Sequence, residues 1–249
     1  MPFHEKITNL IPKIDSLIKQ YRCFAEEWRI DFELIDIDSK PISYDSIPSL
    51  LSDKYFYETG NEFANLKHSF YSDQSSLFYI EWFEGKYNNF FDLIINEKLK
   101  LDNFHDYQKR EIESLITEWI LFLDSKKVIN IKDMTLMLIM KDIYHEWVLH
   151  YHLLDWEMQD KIIEMKSERL LLSESTLLSR QEVDYINYYF NKSKFLNWPD
   201  IRNKNIHWHK YISEDESFSD YMILLKITVL ILLKIDLELN IHNALSTFK

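Results

Sequence analysis

An all-α fold, a helical bundle with a mostly helical N-terminal extension, is what this chain of 249 residues predicts. Three observations carry that prediction. Glycine occurs twice and proline five times, too few for the many tight turns of a sandwich or barrel. Apolar residues recur at helical spacing over most of the length. At two places a serine stands three residues before a glutamate where apolar periodicity begins, the capping-box pattern of a helix start. Hydrophobic residues make up 46% of the chain and aromatics 15%, which supplies a real core and excludes a disordered chain.

The first helix spans about Glu5 to Trp28, with Ile7, Leu10, Ile11, Ile14, Leu17, Ile18 and Tyr21 on one stripe and Pro12 placed to bend it. From Ile30 to Asp38 apolar and polar residues alternate, which reads as a short strand or an extended linker. Ser39 to Gly60, with Pro41 and Pro48, is irregular. Glu62 to Tyr71 and Leu77 to Lys98 read as helices, the latter with strand character at its start. Asp106 to Leu123 and Ile131 to Trp156 are long amphipathic helices. Methionines of the second fill a core, and so do the scattered tryptophans and tyrosines.

Ser179 with Glu182 starts a helix through about Asn191, and Asn197 with Asp200 and Pro199 starts the next. Ser213 with Glu216 opens a final helix through Leu237, apolar on most of its surface, with Glu214, Asp215 and Glu216 at its positive end. No internal repeat is evident. A division near residue 100 separates an N-terminal helical region, 1–100, from a helical domain, 101–249.

One cysteine, Cys23, excludes an internal disulfide and any site built from several thiolates. The N-terminus lacks a signal-peptide pattern. The most apolar run, Met222 to Leu233, is too short for a membrane span and contains Lys226. A cytoplasmic protein without a membrane partner is expected.

The formal net charge is −12, which argues against a general nucleic-acid-binding face. Charge is uneven, however. Lys192, Lys194, Arg202, Lys204 and Lys210 stand against Asp200 alone, with His207 and His209 among them. Such a basic island suits a local phosphate site, with Lys192, Lys194, Lys204, His209 and Lys210 as RNA contacts.

Inside the island the chain reads Arg202-Asn203-Lys204-Asn205-Ile206-His207. These are the residue types that RNA cleavage without a metal or other cofactor requires. Histidine titrates near neutrality and moves protons, arginine holds a phosphate, and an amide orients either. On a helix Asn203 and His207 share a face. The alternative is that Arg202 pairs with Asp200 and His207 is an ordinary surface residue. A competing cluster, Asp142, His145, Glu146, His150, His152 and Asp155, falls on one expected helix, where Glu146 and His150 have the spacing of metal ligands in helical bundles.

Arg202-Asn203-x-x-x-His207, followed by a long apolar final helix, resembles the catalytic motif of HEPN-domain ribonucleases. The resemblance covers at most residues 100 to 249, and its specific part is six residues long. That family often has a small residue after the histidine, where this chain has Trp208. The resemblance implies a helical bundle that dimerises so that two motifs face one cleft. It assigns Arg202, Asn203 and His207 as the catalytic set of an endoribonuclease that leaves 2′,3′-cyclic phosphate ends. By analogy the protein is a toxin or an antiviral, abortive-infection effector, restrained by an antitoxin or another regulatory partner. A helical binding or regulatory module without the chemistry is the alternative from another class, and a metal-binding bundle enzyme is the third.

Overall fold

The computed structural model describes residues 1–37, 42–83, 85–191, 201 and 213–247. In chain order the helices are α1 (Phe3–Glu27), α2 (Phe32–Ile37), α3 (Gly60–Tyr71), α4 (Phe90–Asn96) and α5 (Asp106–Thr117). They continue with α6 (Met134–Glu146), α7 (Trp156–Ser167), α8 (Arg180–Phe190) and α9 (Glu214–Thr247). Strands are short: β1 (Tyr55–Glu58), β2 (Leu121–Leu123), β3 (Ile129–Ile131), β4 (Leu149–His150) and β5 (Leu171–Glu174). The fold is mostly helical, as the composition predicts. No helix among the described residues is long and apolar enough to cross a membrane.

The chain forms two compact units, one of Met1–Lys54 with Glu174–Lys249 and one of Tyr55–Ser173. Residue 100, where the sequence suggested a division, lies inside the second. In the first unit α1 packs along α9. Ile7, Ile11, Ile14 and Ile18 meet Leu224, Ile227 and Ile231 in one core, which Val183 and Ile186 of α8 complete. Two predicted caps of this unit are present, and the helix start predicted at Asn197 lies outside the described residues. Ser179 Oγ and the Glu182 side chain bond reciprocally to each other's backbone N–H, and Ser213 Oγ accepts from the Glu216 N–H at 3.2 Å. α2 occupies the stretch expected to be extended. Asp31 accepts the Leu34 N–H at 3.2 Å, so a local cap overrides the alternation.

The second unit has an aromatic and methionine core that includes Phe63, Phe70, Phe90, Met137 and Met140. A three-stranded sheet of order β4-β1-β5 and a β2-β3 hairpin accompany its helices. β1 and β4 are antiparallel with Phe56 opposite Leu149, and Leu121 stands opposite Ile131 in the hairpin.

Here the long predicted helices are interrupted. The helix expected from Ile131 to Trp156 is α6 alone, opened by Asp133 and ended at Glu146, because Trp147 turns left-handed at φ 63°. β4 and a single 3₁₀ turn follow before α7 begins. The helix expected from Asp106 to Leu123 stops at Thr117, and Leu121–Leu123 is strand. Among the described residues between Leu77 and Lys98 only Phe90–Asn96 is α-helical, started by the Asn89 side chain accepting the Asp92 N–H at 2.8 Å.

The second unit also contains a repeat that the sequence did not disclose. A 3₁₀ turn, Leu101–Asn103, precedes α5, and Tyr151–Leu153 precedes α7 in the same way. Ile112 and Leu115 are buried on α5 where Ile162 and Met165 are buried on α7. Both helices then end in one hydrogen-bond pattern. Trp119 N–H donates to Ile116 O and Ile120 N–H to Leu115 O; Arg169 N–H donates to Lys166 O and Leu170 N–H to Met165 O. Trp119 and Arg169 are left-handed, at φ 62° and 63°, and buried Leu121 and Leu171 open the strands beyond. Each module is thus a helix, a left-handed residue and a strand. Glu146-Trp147 before β4 ends α6 on the same kind of residue.

The described tryptophans are not core residues. Among the described residues Trp28, Trp82, Trp119, Trp147 and Trp156 are all 58% exposed or more. Three of them fill left-handed positions at helix ends, where glycine costs least. Lys132 lies over the Trp119 ring at 5.7 Å and Lys67 over the Trp147 ring at 5.5 Å.

Asp133 joins α6 to α7. It accepts the Leu136 N–H at 2.9 Å and meets Lys161 Nζ at 2.9 Å. Burial pushes its carboxyl up, but the N–H donor and Lys161 outweigh that and hold it below the usual carboxylate range. A depressed folded value means the stabilisation is present above the unfolded pKa, about 3.9, and disappears as pH falls through the folded one. Asp133→Asn keeps a cap and removes the charge. Wild type should exceed this variant by up to about 1 kcal/mol at neutral pH. Denaturant titrations at neutral and strongly acidic pH should show the gap closing in acid; a gap unchanged by pH would contradict the assignment.

Candidate functional site

Every residue assigned from sequence to the catalytic or RNA-contacting set lies outside the described residues: Arg202, Asn203, His207, Lys192, Lys194, Lys204, His209 and Lys210. The structure describes what brackets them in the first unit. α8 ends at Phe190, and Asn191 N–H bonds to Asn187 O at 2.8 Å. α9 starts after the Ser213 cap, with Glu214, Asp215 and Glu216 in its first turn. Ile201, adjacent in sequence to Arg202, is fully buried.

A cavity of about 530 Å³, lined by charged and apolar side chains, opens beside the start of α8. Asp45, Glu174, Asp184 and Arg180 bring charge to it, and Ser175 and Thr176 bring hydroxyls. Arg180 is engaged, with Nε and Nη2 both donating to Glu174 Oε1 at 3.0 and 2.6 Å. Ser175 Oγ accepts the Asp53 N–H at 2.9 Å, and Thr176 Oγ1 donates to Leu178 O at 2.8 Å. Among the described residues the cavity lining holds neither histidine nor cysteine.

The densest polar arrangement of this unit is buried. Lys54 and Glu238, 1% and 0% exposed, form an ion pair. Glu238 Oε1 also accepts from the Ser49 hydroxyl, from Leu50 N–H at 2.6 Å and from Leu51 N–H at 3.3 Å. Lys54 Nζ donates to Leu177 O at 2.7 Å. Burial pushes the Lys54 ammonium down from the usual lysine range, against the opposing pull of Glu238. Tyr21 of α1 is pushed up, first by burial and then by the Glu238 charge. The pair is sealed from solvent and fully hydrogen-bonded, which marks it as structural. Sequence reading missed it, although a signal existed. Glu238 falls seven residues after Ile231, on the buried stripe of α9.

The histidine-rich metal candidate is dispersed. Asp142, His145 and Glu146 belong to α6, His150 to β4, His152 to a 3₁₀ turn, and Asp155 caps α7 by accepting the Met158 N–H at 3.0 Å. Glu146 and His150 therefore do not share a helix. Among the described residues no group of three or more histidine, cysteine or carboxylate side chains is placed to hold a metal ion.

Comparison with known proteins adds no constraint: no family model, no curated protein and no solved structure matches this chain.

Removing one member of a buried ion pair strands the other charge, at a cost of about 3–5 kcal/mol. Lys54→Met and Glu238→Gln should each lower the unfolding free energy of the first unit by that amount. The double variant Lys54→Met/Glu238→Leu should recover much of the loss. Denaturant melts followed by circular dichroism measure all three, and a Lys54→Met protein as stable as wild type would show that the pair carries no structural weight.

Proposed function

We propose that the protein is an endoribonuclease of the HEPN type, acting without a metal. The observation that carries this reading is the motif Arg202-Asn203-x-x-x-His207, set in the basic island of a chain whose net charge is −12. The mostly helical fold agrees with it, and so does the position of the motif in the segment that leads into α9.

In this reading Arg202 binds the scissile phosphate and stabilises charge on the phosphorane. His207 removes the proton of the adjacent 2′-hydroxyl, whose oxygen attacks phosphorus. The bond to the 5′-oxygen breaks, that oxygen takes a proton, and a 2′,3′-cyclic phosphate remains. Asn203 orients the phosphate or the imidazole. One histidine does not serve as base and acid at the same moment, so the second proton-transfer group is His207 of a second copy across a two-fold cleft, or His209. Lys192, Lys194, Lys204 and Lys210 hold the flanking RNA backbone. A toxin or antiviral effector held in check by a regulatory partner is the biological role that goes with such an activity, and a cytoplasmic location goes with that role.

The test is cleavage of labelled RNA in excess EDTA. Products should carry 2′,3′-cyclic ends, and Arg202→Ala and His207→Ala should each lower the rate by about a hundredfold or more with unchanged melting curves. Asn203→Ala should cost less, because an amide orients and transfers no proton. Full activity in both alanine variants would end the nuclease reading at this site, and loss in His209→Ala with His207→Ala intact would move the role to His209.

The exposed tryptophans favour a second reading, a binding module. Trp82, Trp119, Trp147 and Trp156 of the second unit stand 63% exposed or more, and exposed tryptophan is the residue type that most often anchors a partner. If the alanine variants at 202 and 207 stay indistinguishable from wild type, these rings become the surface to probe.

A further inference from the structure

We infer that the second unit binds an organic cation, an ammonium or guanidinium group, in the cavity beside Trp82. The cavity measures about 120 Å³, and residues of the 3₁₀ turns Glu81–Phe83 and Leu101–Asn103 line it together with His105, the cap of α5. Ile80 and Phe104 in its lining belong to the core, and Trp82 is 72% exposed. Glu81 and Asp102 bring two carboxylates, and neither has an ionic or hydrogen-bond partner among the described residues. No lysine or arginine among the described residues lines it. One buried amide fixes both of its sides. Gln108 of α5 donates from Nε2 to Ser76 O at 2.6 Å and to Tyr79 O at 2.8 Å, and its Oε1 accepts the His105 N–H at 2.8 Å. The turns themselves are closed by Phe83 N–H to Ile80 O at 2.9 Å and by Lys100 N–H to Asn103 Oδ1 at 2.7 Å. A site built this way is formed in advance, so a ligand does not bear the cost of ordering it.

The chain's own lysines show twice, within the same unit, what such a set of side chains takes. Lys67 Nζ lies 5.5 Å from the centre of the Trp147 ring and 2.5 Å from Glu58 Oε2. Lys86 Nζ lies 5.1 Å from the Tyr87 ring and 5.6 Å from the Phe83 ring, and it bridges to Glu97. Each is one ammonium held by an aromatic face and a carboxylate, a combination that ring quadrupole and charge both favour. The cavity beside Trp82 has the same components, Trp82 and Phe104 with Glu81 and Asp102, and no cationic side chain of its own among the described residues. The start of α5 contributes about half a positive charge, which two carboxylates outweigh.

Composition and size set the ligand. Carboxylates alone would serve a hydrated metal ion equally well; an indole ring and an apolar floor favour a cation that carries carbon and sheds water readily. The volume is well below the roughly 300 Å³ at which sites for whole drug-sized ligands begin. The cavity therefore receives one cationic head and leaves what is attached to it outside. That head is a free small cation or the end of a lysine or arginine side chain of a partner. The inference does not depend on RNA cleavage, and a nuclease result of either sign leaves it standing.

Choline is the probe, with its neutral carbon isostere as the control, both titrated into the full chain and followed by proton NMR. The choline methyl resonance should move upfield, as it does over an aromatic ring, with a dissociation constant on the order of 1 mM. The neutral isostere should bind at least about fivefold more weakly. Trp82→Ala should weaken choline binding by about three- to tenfold and remove the upfield shift. The double variant Glu81→Gln/Asp102→Asn should weaken it to a similar degree, and Trp119→Ala, whose ring Lys132 already covers, should bind like wild type. If Trp82→Ala melts lower, Trp82→Leu keeps the apolar bulk without the ring and must show the same loss. Blocked lysine and arginine peptides then compete with choline. Displacement at a tenth of the choline concentration or less assigns the head to a partner chain, and weaker displacement assigns it to a free small cation; either result keeps the site. No upfield shift at about 50 mM choline, far above that constant, overturns the proposal. Equal binding of the neutral isostere does so too, as does a Trp82→Ala chain that binds like wild type.

Discussion

The ion pair between Lys54 and Glu238 is the constraint on which the first unit turns. It gathers three separate pieces of chain: the turn from Ser49 to Lys54, the strand-like return at Leu177, and α9. An apolar contact between the same pieces would tolerate sliding of α9 by a turn. A carboxylate that must satisfy a hydroxyl, two backbone N–H groups and an ammonium tolerates no such slip, because any other register leaves a charge unpaired away from water. Buried ionic groups contribute less to net stability than hydrophobic packing does, and their best-attested use is to fix register. Glu238 holds α9 in the register that lets Leu224, Ile227 and Ile231 meet the isoleucines of α1.

What the sequence disclosed was local chemistry. Side-chain caps are decided within four residues, and so Ser179 with Glu182 and Ser213 with Glu216 are legible without a structure. The α1 stripe is legible for a similar reason, since one-faced burial repeats every turn. Where two local signals compete, the alternation of Ile30 to Leu34 loses to the Asp31 cap. Hydrophobic period alone overran the ends of α5 and α6, because the left-handed residue that ends each is a tryptophan. In a chain with two glycines the usual stop signal for a helix is missing, and a large aromatic residue there looks like more helix. The same substitution hid the repeat, whose shared letters are sparse: Ile112 matches Ile162 and Leu121 matches Leu171, all four buried, while the left-handed residue is Trp119 in one module and Arg169 in the other. The proposed catalytic motif is the opposite case. It is readable from six letters and lies outside the described residues, so chemistry and architecture are supported by different kinds of observation.

Exposed tryptophans and left-handed helix ends are linked. A bulky side chain at positive φ costs roughly 1–2 kcal/mol more than glycine would, and Trp28, Trp119 and Trp147 each carry that cost without the compensation of burial. Lysine stacking at Lys132 and Lys67 offsets part of it. The remainder is a local strain held at the ends of three helices.

The first unit is discontinuous: its chain leaves at Lys54 and returns at Glu174. On a ribosome this arrangement imposes an order. The second unit has all its residues in one run and is free to fold as it emerges. The first waits, with the apolar stripe of α1 uncovered, until α9 has been made some two hundred residues later. Any activity that depends on the segment leading into α9 is therefore withheld from the nascent chain, and a polypeptide truncated before Glu214 lacks both the closing helix and the carboxylate that sets its register. For a protein proposed to cut RNA, completion of synthesis is itself a safeguard for the message being translated.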